Sequence, residues 1–217
     1  MILIIGDVFD SEAVTQIRTA ASALPYAPGE SGWATATVKS NRQAIPCADT
    51  ERLTDSIAAR LTTNEMFQIA AQPKRIIGPL LSCYSPGESY GSHVDNALMD
   101  GARADLAFTL FLSDPDDHDG GDLILQTALG DEAYKLPAGH VLLYPATTLH
   151  RVAPVTRGVR QVAVGWVRSL VRDPAQRELI FDLETARRAM FARDGKSPAF
   201  DLISKSVTNL VRMWCDD

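Results

Sequence analysis

Two hydrophobic periods divide the chain. The apolar run Ile2–Ile5 has the length of a short strand, and Asp10-Ser11 follows as a helix cap. Ala13, Val14, Ile17, Ala20 and Ala21 then recur at helical spacing, which predicts a helix to about Leu24, ended by Pro25 and Pro28-Gly29. Trp33 to Val38 alternate in the β manner, and Lys39 to Ile45 are polar with no dominant period. Pro46 and Asp49 open a second helix with the stripe Leu53, Ile57, Ala58 and Leu61, extended by Phe67 to Ala71. From Ile76 the pattern changes to short apolar runs separated by turn residues. Strands are predicted at Ile76–Tyr84, Gly91–His93, Leu106–Ser113, Asp122–Gln126, Glu132–Leu136, Val141–Tyr144, His150–Pro154 and Arg160–Arg168. After Asp173-Pro174 the helical period returns with Leu179, Leu183, Ala186 and Met190, and a last helix is predicted from about Phe200 to Trp214.

Eight strands of this kind suit a double-stranded β-helix, a jelly-roll or cupin-like arrangement. The expected class is α+β, mainly β, with N-terminal helices on the outside and a C-terminal helical tail. Residues 1–75 read as a strand and helices packing on the core, 76–172 as the β core, and 173–217 as a helical extension, which covers sheet surface or pairs with a second copy to give a homo-oligomer.

Bulk properties narrow this only slightly. With 217 residues and 46% hydrophobic content the chain can bury an ordinary core. A net charge of −6 argues against nucleic acid as the main partner. Cys47, Cys83 and Cys215 are odd in number and widely spaced, so neither a disulfide framework nor a zinc ribbon is expected. The N-terminal apolar run is too short for a signal peptide, and no stretch has the length of a membrane span. A cytoplasmic protein is the expectation.

The chemistry converges on Gly91-Ser92-His93-Val94-Asp95. Residues two apart at a strand end project to one face, so the His93 imidazole and the Asp95 carboxylate can reach one point. His150 follows the apolar run Val141–Pro145, and Arg160 opens the last strand. Two histidines and a carboxylate make the facial triad of non-haem Fe(II) oxygenases. An arginine is the fixed clamp that the carboxylate of a 2-oxo acid would need. Strand parity puts Arg160, Val162, Val164 and Trp166 on one face, where a guanidinium would be costly without an anionic partner. Trp166 on that face lines a pocket or fills the core. A tripeptide H-x-D alone arises often by chance; the separate agreement of His150 and Arg160 gives it weight.

These stretches, together with Thr109–Pro115, Gly120–Leu123, Leu136–Gly139 and Leu143-Tyr144-Pro145 through Leu149–Arg160, resemble the PKHD-type hydroxylases. Those are Fe(II)/2-oxoglutarate-dependent dioxygenases of the prolyl-4-hydroxylase-like superfamily. The resemblance implies Fe(II) on His93, Asp95 and His150, and 2-oxoglutarate and dioxygen as cosubstrates. It also implies decarboxylation of 2-oxoglutarate coupled to hydroxylation, action on an amino-acyl side chain, and an ascorbate requirement. Tyr84 matches the tyrosine that reaches the cosubstrate in relatives, with Tyr90 as its local competitor. Where some relatives carry a second tyrosine, Phe111 stands here, leaving Thr109 or Tyr144 to supply the hydroxyl beside Arg160.

His118, among Asp114, Asp116, Asp117 and Asp119, reads as part of a solvated turn, and His140 and Arg157 read as exposed. The loops Asn96–Arg103 and Asp114–Gly120 are the expected specificity elements, with Asp100, Arg103 and Asp105 as contacts for a polar substrate. Two other classes stay open: a metal-binding cupin of different activity, and a non-catalytic sensor of iron or 2-oxoglutarate.

Overall fold

The computed structural model describes residues 1–29 and 38–216. Its elements run β1 (Leu3–Ile5), α1 (Ser11–Ser22), β2 (Tyr26–Pro28), β3 (Lys39–Ser40), β4 (Arg42–Ala44), α2 (Ala48–Thr63), α3 (Glu65–Ala71), β5 (Pro73–Tyr84), β6 (Ser89–His93), β7 (Leu98–Met99), β8 (Ala102–Arg103) and β9 (Leu106–Phe111). They continue β10 (His118–Gly120), β11 (Leu123–Thr127), β12 (Gly130–Tyr134), β13 (Val141–Pro145), β14 (His150–Val152), β15 (Val155–Gly158), β16 (Arg160–Ser169), α4 (Pro174–Asp194) and α5 (Pro198–Trp214). All but one residue of the strand expected over Trp33–Val38 lie outside the described residues; Val38 itself is in a turn.

The larger sheet has the order β1-β13-β9-β16-β5-β4-β2, and the smaller one β12-β11-β14-β6-β3. All their pairings are antiparallel. This is the expected double-stranded β-helix core. Strand parity sorts the central strands of the larger sheet between two cores. Leu106, Phe108 and Leu110 of β9, Val141 and Leu143 of β13, and Ala163 and Val167 of β16 pack with Ile17, Ile57, Leu61 and Phe67 of the N-terminal helices. The alternate residues Ala107, Phe111, Leu142, Tyr144 and Val162 face inward and join Leu123, Leu125 and Val152 of the smaller sheet. Every residue of β9 is buried, as expected of a strand covered on both faces.

Several expectations shift. Asn64 divides the helix read from Pro46 to Ala71, because its side chain accepts from the Phe67 amide and caps a new helix. The polar stretch after Val38 supplies two strands, β3 in the smaller sheet and β4 in the larger one. The strand read over His150–Pro154 stops at Val152, and Val155–Gly158 pairs instead with His118–Gly120 as a separate ribbon. His118 is therefore buried, not in a solvated turn. His140 is half-buried rather than exposed. Arg157 is exposed as read and pairs with Asp119 at 2.7 Å.

Helices α4 and α5 enclose a small apolar cluster of Val171, Ile180 and Val207. Among the described residues, no helix is long and apolar enough to cross a membrane.

Candidate active site

Sheet register brings the distant histidines together. His93 closes β6 and His150 opens β14, and the two are direct cross-strand partners. Asp95 lies two residues past His93, just beyond the strand end. Ligand-bearing atoms of the three residues fall within 4.8 Å of one another. His150 Nε2 is 3.9 Å from Asp95 Oδ1, too far to hydrogen-bond and close enough for one ion to touch both.

The local backbone orients each ring. His93 Nδ1 lies 2.9 Å from the Gly91 carbonyl, and His150 Nδ1 lies 2.9 Å from the Thr148 carbonyl. A carbonyl only accepts, so Nδ1 carries the proton in both rings and Nε2 keeps its lone pair. Burial, reinforced by His150, pulls the His93 pKa down to about 4, which favours the neutral form. Tyr90 stacks on the His93 ring at 3.6 Å, and Tyr144 meets His150 edge-on at 5.3 Å. Burial raises the Asp95 pKa, opposed by His150 and by the nearby Trp166 indole. Asp95 Oδ2 and Trp166 Nε1 are both buried and both lack a hydrogen-bond partner among the described residues. A buried carboxylate oxygen with no donor, facing two imidazoles held by their far nitrogens, fits a dication and not a hydrogen-bond network.

The three groups open onto a cavity of about 170 Å³. The residues selected from the sequence for the metal and the cosubstrate all line it: His93, Asp95, His150, Arg160, Tyr84, Thr109, Tyr144 and Trp166. Register explains the wall. Ala107 pairs with Tyr144 on one side and Trp166 on the other, so a small residue leaves room between two large ones. Thr109 sits between Leu142 and Val164, and Arg160 pairs with Tyr84.

Arg160 is only 2% exposed and makes no ion pair among the described residues. Its guanidinium lies over the rings of Tyr84, at 5.1 Å, and Phe111, at 5.8 Å. Burial lowers its pKa. The same burial raises the pKa values of Tyr84 and Tyr144, so both keep hydroxyls able to donate.

Three expected substrate contacts are engaged elsewhere. Asp100 pairs with Arg75, and Arg103 bridges Asp105 at 2.7 Å and Asp216 at 2.9 Å. None of Asp100, Arg103 and Asp105 lines the cavity, and neither does the loop from Asp114 to Gly120; from the other loop Asn96 and Met99 do. The sequence reading missed Lys39, Asn41, Gln43 and Leu80, which also line it.

Residues 79–168 match the 2OG-Fe(II) oxygenase superfamily. Over its whole length the chain is 49% identical to a PKHD-type hydroxylase of Synechococcus sp. (strain JA-2-3B'a(2-13)), all of which is covered, and 48% identical to one of Acaryochloris marina, again over both full lengths. The chain belongs to the PKHD-type hydroxylases. In fold it is similar to a prolyl-4-hydroxylase of Pseudomonas putida, with a TM-score of 0.55, 19% identity, and coverage of 77% of this chain and 92% of that one. This PKHD-type hydroxylase is thus an Fe(II)/2-oxoglutarate-dependent oxidoreductase, with 2-oxoglutarate and dioxygen as cosubstrates. Of the three classes open from sequence, membership supports the enzyme over a cupin of other activity or a sensor.

Proposed function

We propose that His93, Asp95 and His150 hold Fe(II) and that Arg160 receives the far carboxylate of 2-oxoglutarate. The observation that carries this reading is the buried, unpartnered Asp95 Oδ2 beside two imidazoles whose Nδ1 atoms are tied to the backbone. Bound there, Fe(II) supplies the oxidative chemistry that couples decarboxylation of 2-oxoglutarate to hydroxylation.

The chain's own part is positioning. The backbone carbonyls of Gly91 and Thr148 fix the two rings, and the sheet register fixes their separation. The buried Trp166 indole lies beside the Asp95 carboxylate and favours its charged form. Arg160 gives a carboxylate two parallel N–H donors, and Tyr84, Thr109 and Tyr144 present hydroxyls to the same cavity. The aromatic floor under Arg160 keeps water from competing for the guanidinium. An ascorbate requirement belongs to the same proposal and is read from whether turnover fades when reductant is withheld.

The test is an anaerobic titration of the metal-free protein with Fe(II) and then 2-oxoglutarate, followed by visible absorption. A weak charge-transfer band is expected on the second addition. It should vanish in His150→Ala and need far more 2-oxoglutarate in Arg160→Ala. Folded protein that binds Fe(II) without giving the band would overturn the assignment.

A further inference from the structure

The polar stretch from Lys39 to Gln43 supplies none of the residues assigned above to metal or cosubstrate, yet it forms a wall of the cavity. It crosses from one sheet to the other: Lys39 pairs with Tyr90 in the smaller sheet, and Gln43 pairs with Ser82 in the larger one. Lys39, Asn41 and Gln43 alternate along this extended segment, and all three line the cavity. Gly91 permits the close approach, since a Cβ there would stand 2.8 Å from Val38 Cβ.

The segment is held in place relative to the metal ligands. Lys39 Nζ lies 5.2 Å from the centre of the Tyr90 ring, which itself stacks on His93. The Gln43 amide accepts from Lys39 Nζ at 3.4 Å and donates to Ser82 Oγ at 3.3 Å. Among the described residues, the charged side chains lining the cavity besides the histidines are Lys39, Asp95 and Arg160. Asp95 is assigned to the metal and Arg160 to 2-oxoglutarate, and neither assignment uses Lys39. Leu80, Val94 and Met99 also line the cavity, and Leu80 and Val94 are well exposed at 40% and 51%.

We propose that Lys39, assisted by the amides of Asn41 and Gln43, receives a carboxylate of the substrate to be hydroxylated, while Leu80, Val94 and Met99 hold its apolar part. The substrate class is then an apolar amino acid, free or at a peptide C-terminus. A lysine suits this task as a point charge on a flexible stem, in contrast to the fixed fork of Arg160. The inference rests on the metal and cosubstrate assignments above.

The probes are L-leucine, L-proline and L-phenylalanine, the tripeptides Gly-Gly-X ending in each, and the methyl ester of every one. Each is titrated anaerobically into protein carrying Fe(II) and 2-oxoglutarate, and the shift of the visible band is followed. At least one free acid should act at a concentration at least about tenfold below its ester, the effect of losing one charge-assisted contact. Whether amino acids or tripeptides respond tells a free substrate from a peptide terminus. Lys39→Met, which keeps the apolar stem, should lose the preference, and Lys39→Glu should turn it against acids. Acids and esters acting alike, including neither acting, overturns the proposal, as does a preference retained in Lys39→Met. Persistence of the 2-oxoglutarate band in the variants shows that they are folded. Absence of that band in the unsubstituted protein, seen before any probe is added, overturns the metal and cosubstrate reading and this one with it.

Discussion

A guanidinium buried to 2% exposure without an ion-pair partner among the described residues raises the free energy of the unliganded fold. The rings of Tyr84 and Phe111 offset part of that cost and cannot replace a carboxylate. Two consequences of opposite sign follow for Arg160→Met. In metal-free protein without 2-oxoglutarate, melting should occur at a higher temperature than in the unsubstituted chain, because replacing an unmatched buried charge by an apolar side chain of similar volume is neutral to stabilising by about 1–4 kcal/mol. In the loaded protein, 2-oxoglutarate should bind at least about thirtyfold more weakly, the lower end of the 2–5 kcal/mol cost of truncating a buried charge partner. Arg160→Lys should fall between, since a lysine keeps the charge and loses the planar fork. A variant that melts lower without ligand and binds 2-oxoglutarate normally would mean that Arg160 is structural.

Among the elements, the ribbon of β10 and β15 supports Arg160 from behind. Gly121 follows β10 at φ +72, and a Cβ there would stand 2.9 Å from Val155 Cγ2 and 3.0 Å from Arg160 Cδ. Gly121→Ala should therefore cost about 1–3 kcal/mol of backbone strain and also displace the guanidinium. Gly87, at φ +88 with nothing within 4 Å of its virtual Cβ, is the control. Gly87→Ala should lower the melting temperature comparably and leave 2-oxoglutarate affinity unchanged, whereas Gly121→Ala should weaken it; equal affinities in the two variants would remove the support role. This ribbon was not legible in the sequence. His118-Asp119-Gly120 is short, charged and without an apolar period, and its partner strand is separated from it by more than thirty positions. The candidate triad was legible because His93 and Asp95 are two apart and His150 and Arg160 each sit at a strand start. The cross-strand pairing of His93 with His150 was not, since register between distant strands is a property of the folded sheet. Asp100, Arg103 and Asp105 were misread for a related reason. Arg75 and Asp216, which engage Asp100 and Arg103, are remote in the chain, and nothing local marks the pairs.

At the scale of the whole molecule, the two faces of the larger sheet have opposite character. The helix-covered face is closed by apolar packing. The inner face carries the buried Arg160 guanidinium, which has no ion pair among the described residues, and the Trp166 indole; the cavity it lines also holds the Asp95 carboxylate, just past β6 of the smaller sheet. Such a fold is stabilised when ligands bind the native state and not the unfolded chain. At 100 times its dissociation constant, each ligand should add about 2.7 kcal/mol, and for a chain of this size about 2–4 °C of melting temperature accompanies each kcal/mol. Fe(II) under anaerobic conditions should thus raise the melting temperature by about 5–10 °C, and 2-oxoglutarate added afterwards by a similar amount. The order matters on the proposed assignment, in which the cosubstrate would need both the metal and Arg160. Without metal, 2-oxoglutarate should give much less, and a chelator added last should remove both increments together. In Arg160→Met the metal increment should survive alone. If 2-oxoglutarate stabilises the protein fully without metal, the two sites are independent and the triad is not the cosubstrate's anchor. If Fe(II) gives no increment while 2-oxoglutarate gives its own, the unpartnered Asp95 oxygen is not a metal ligand.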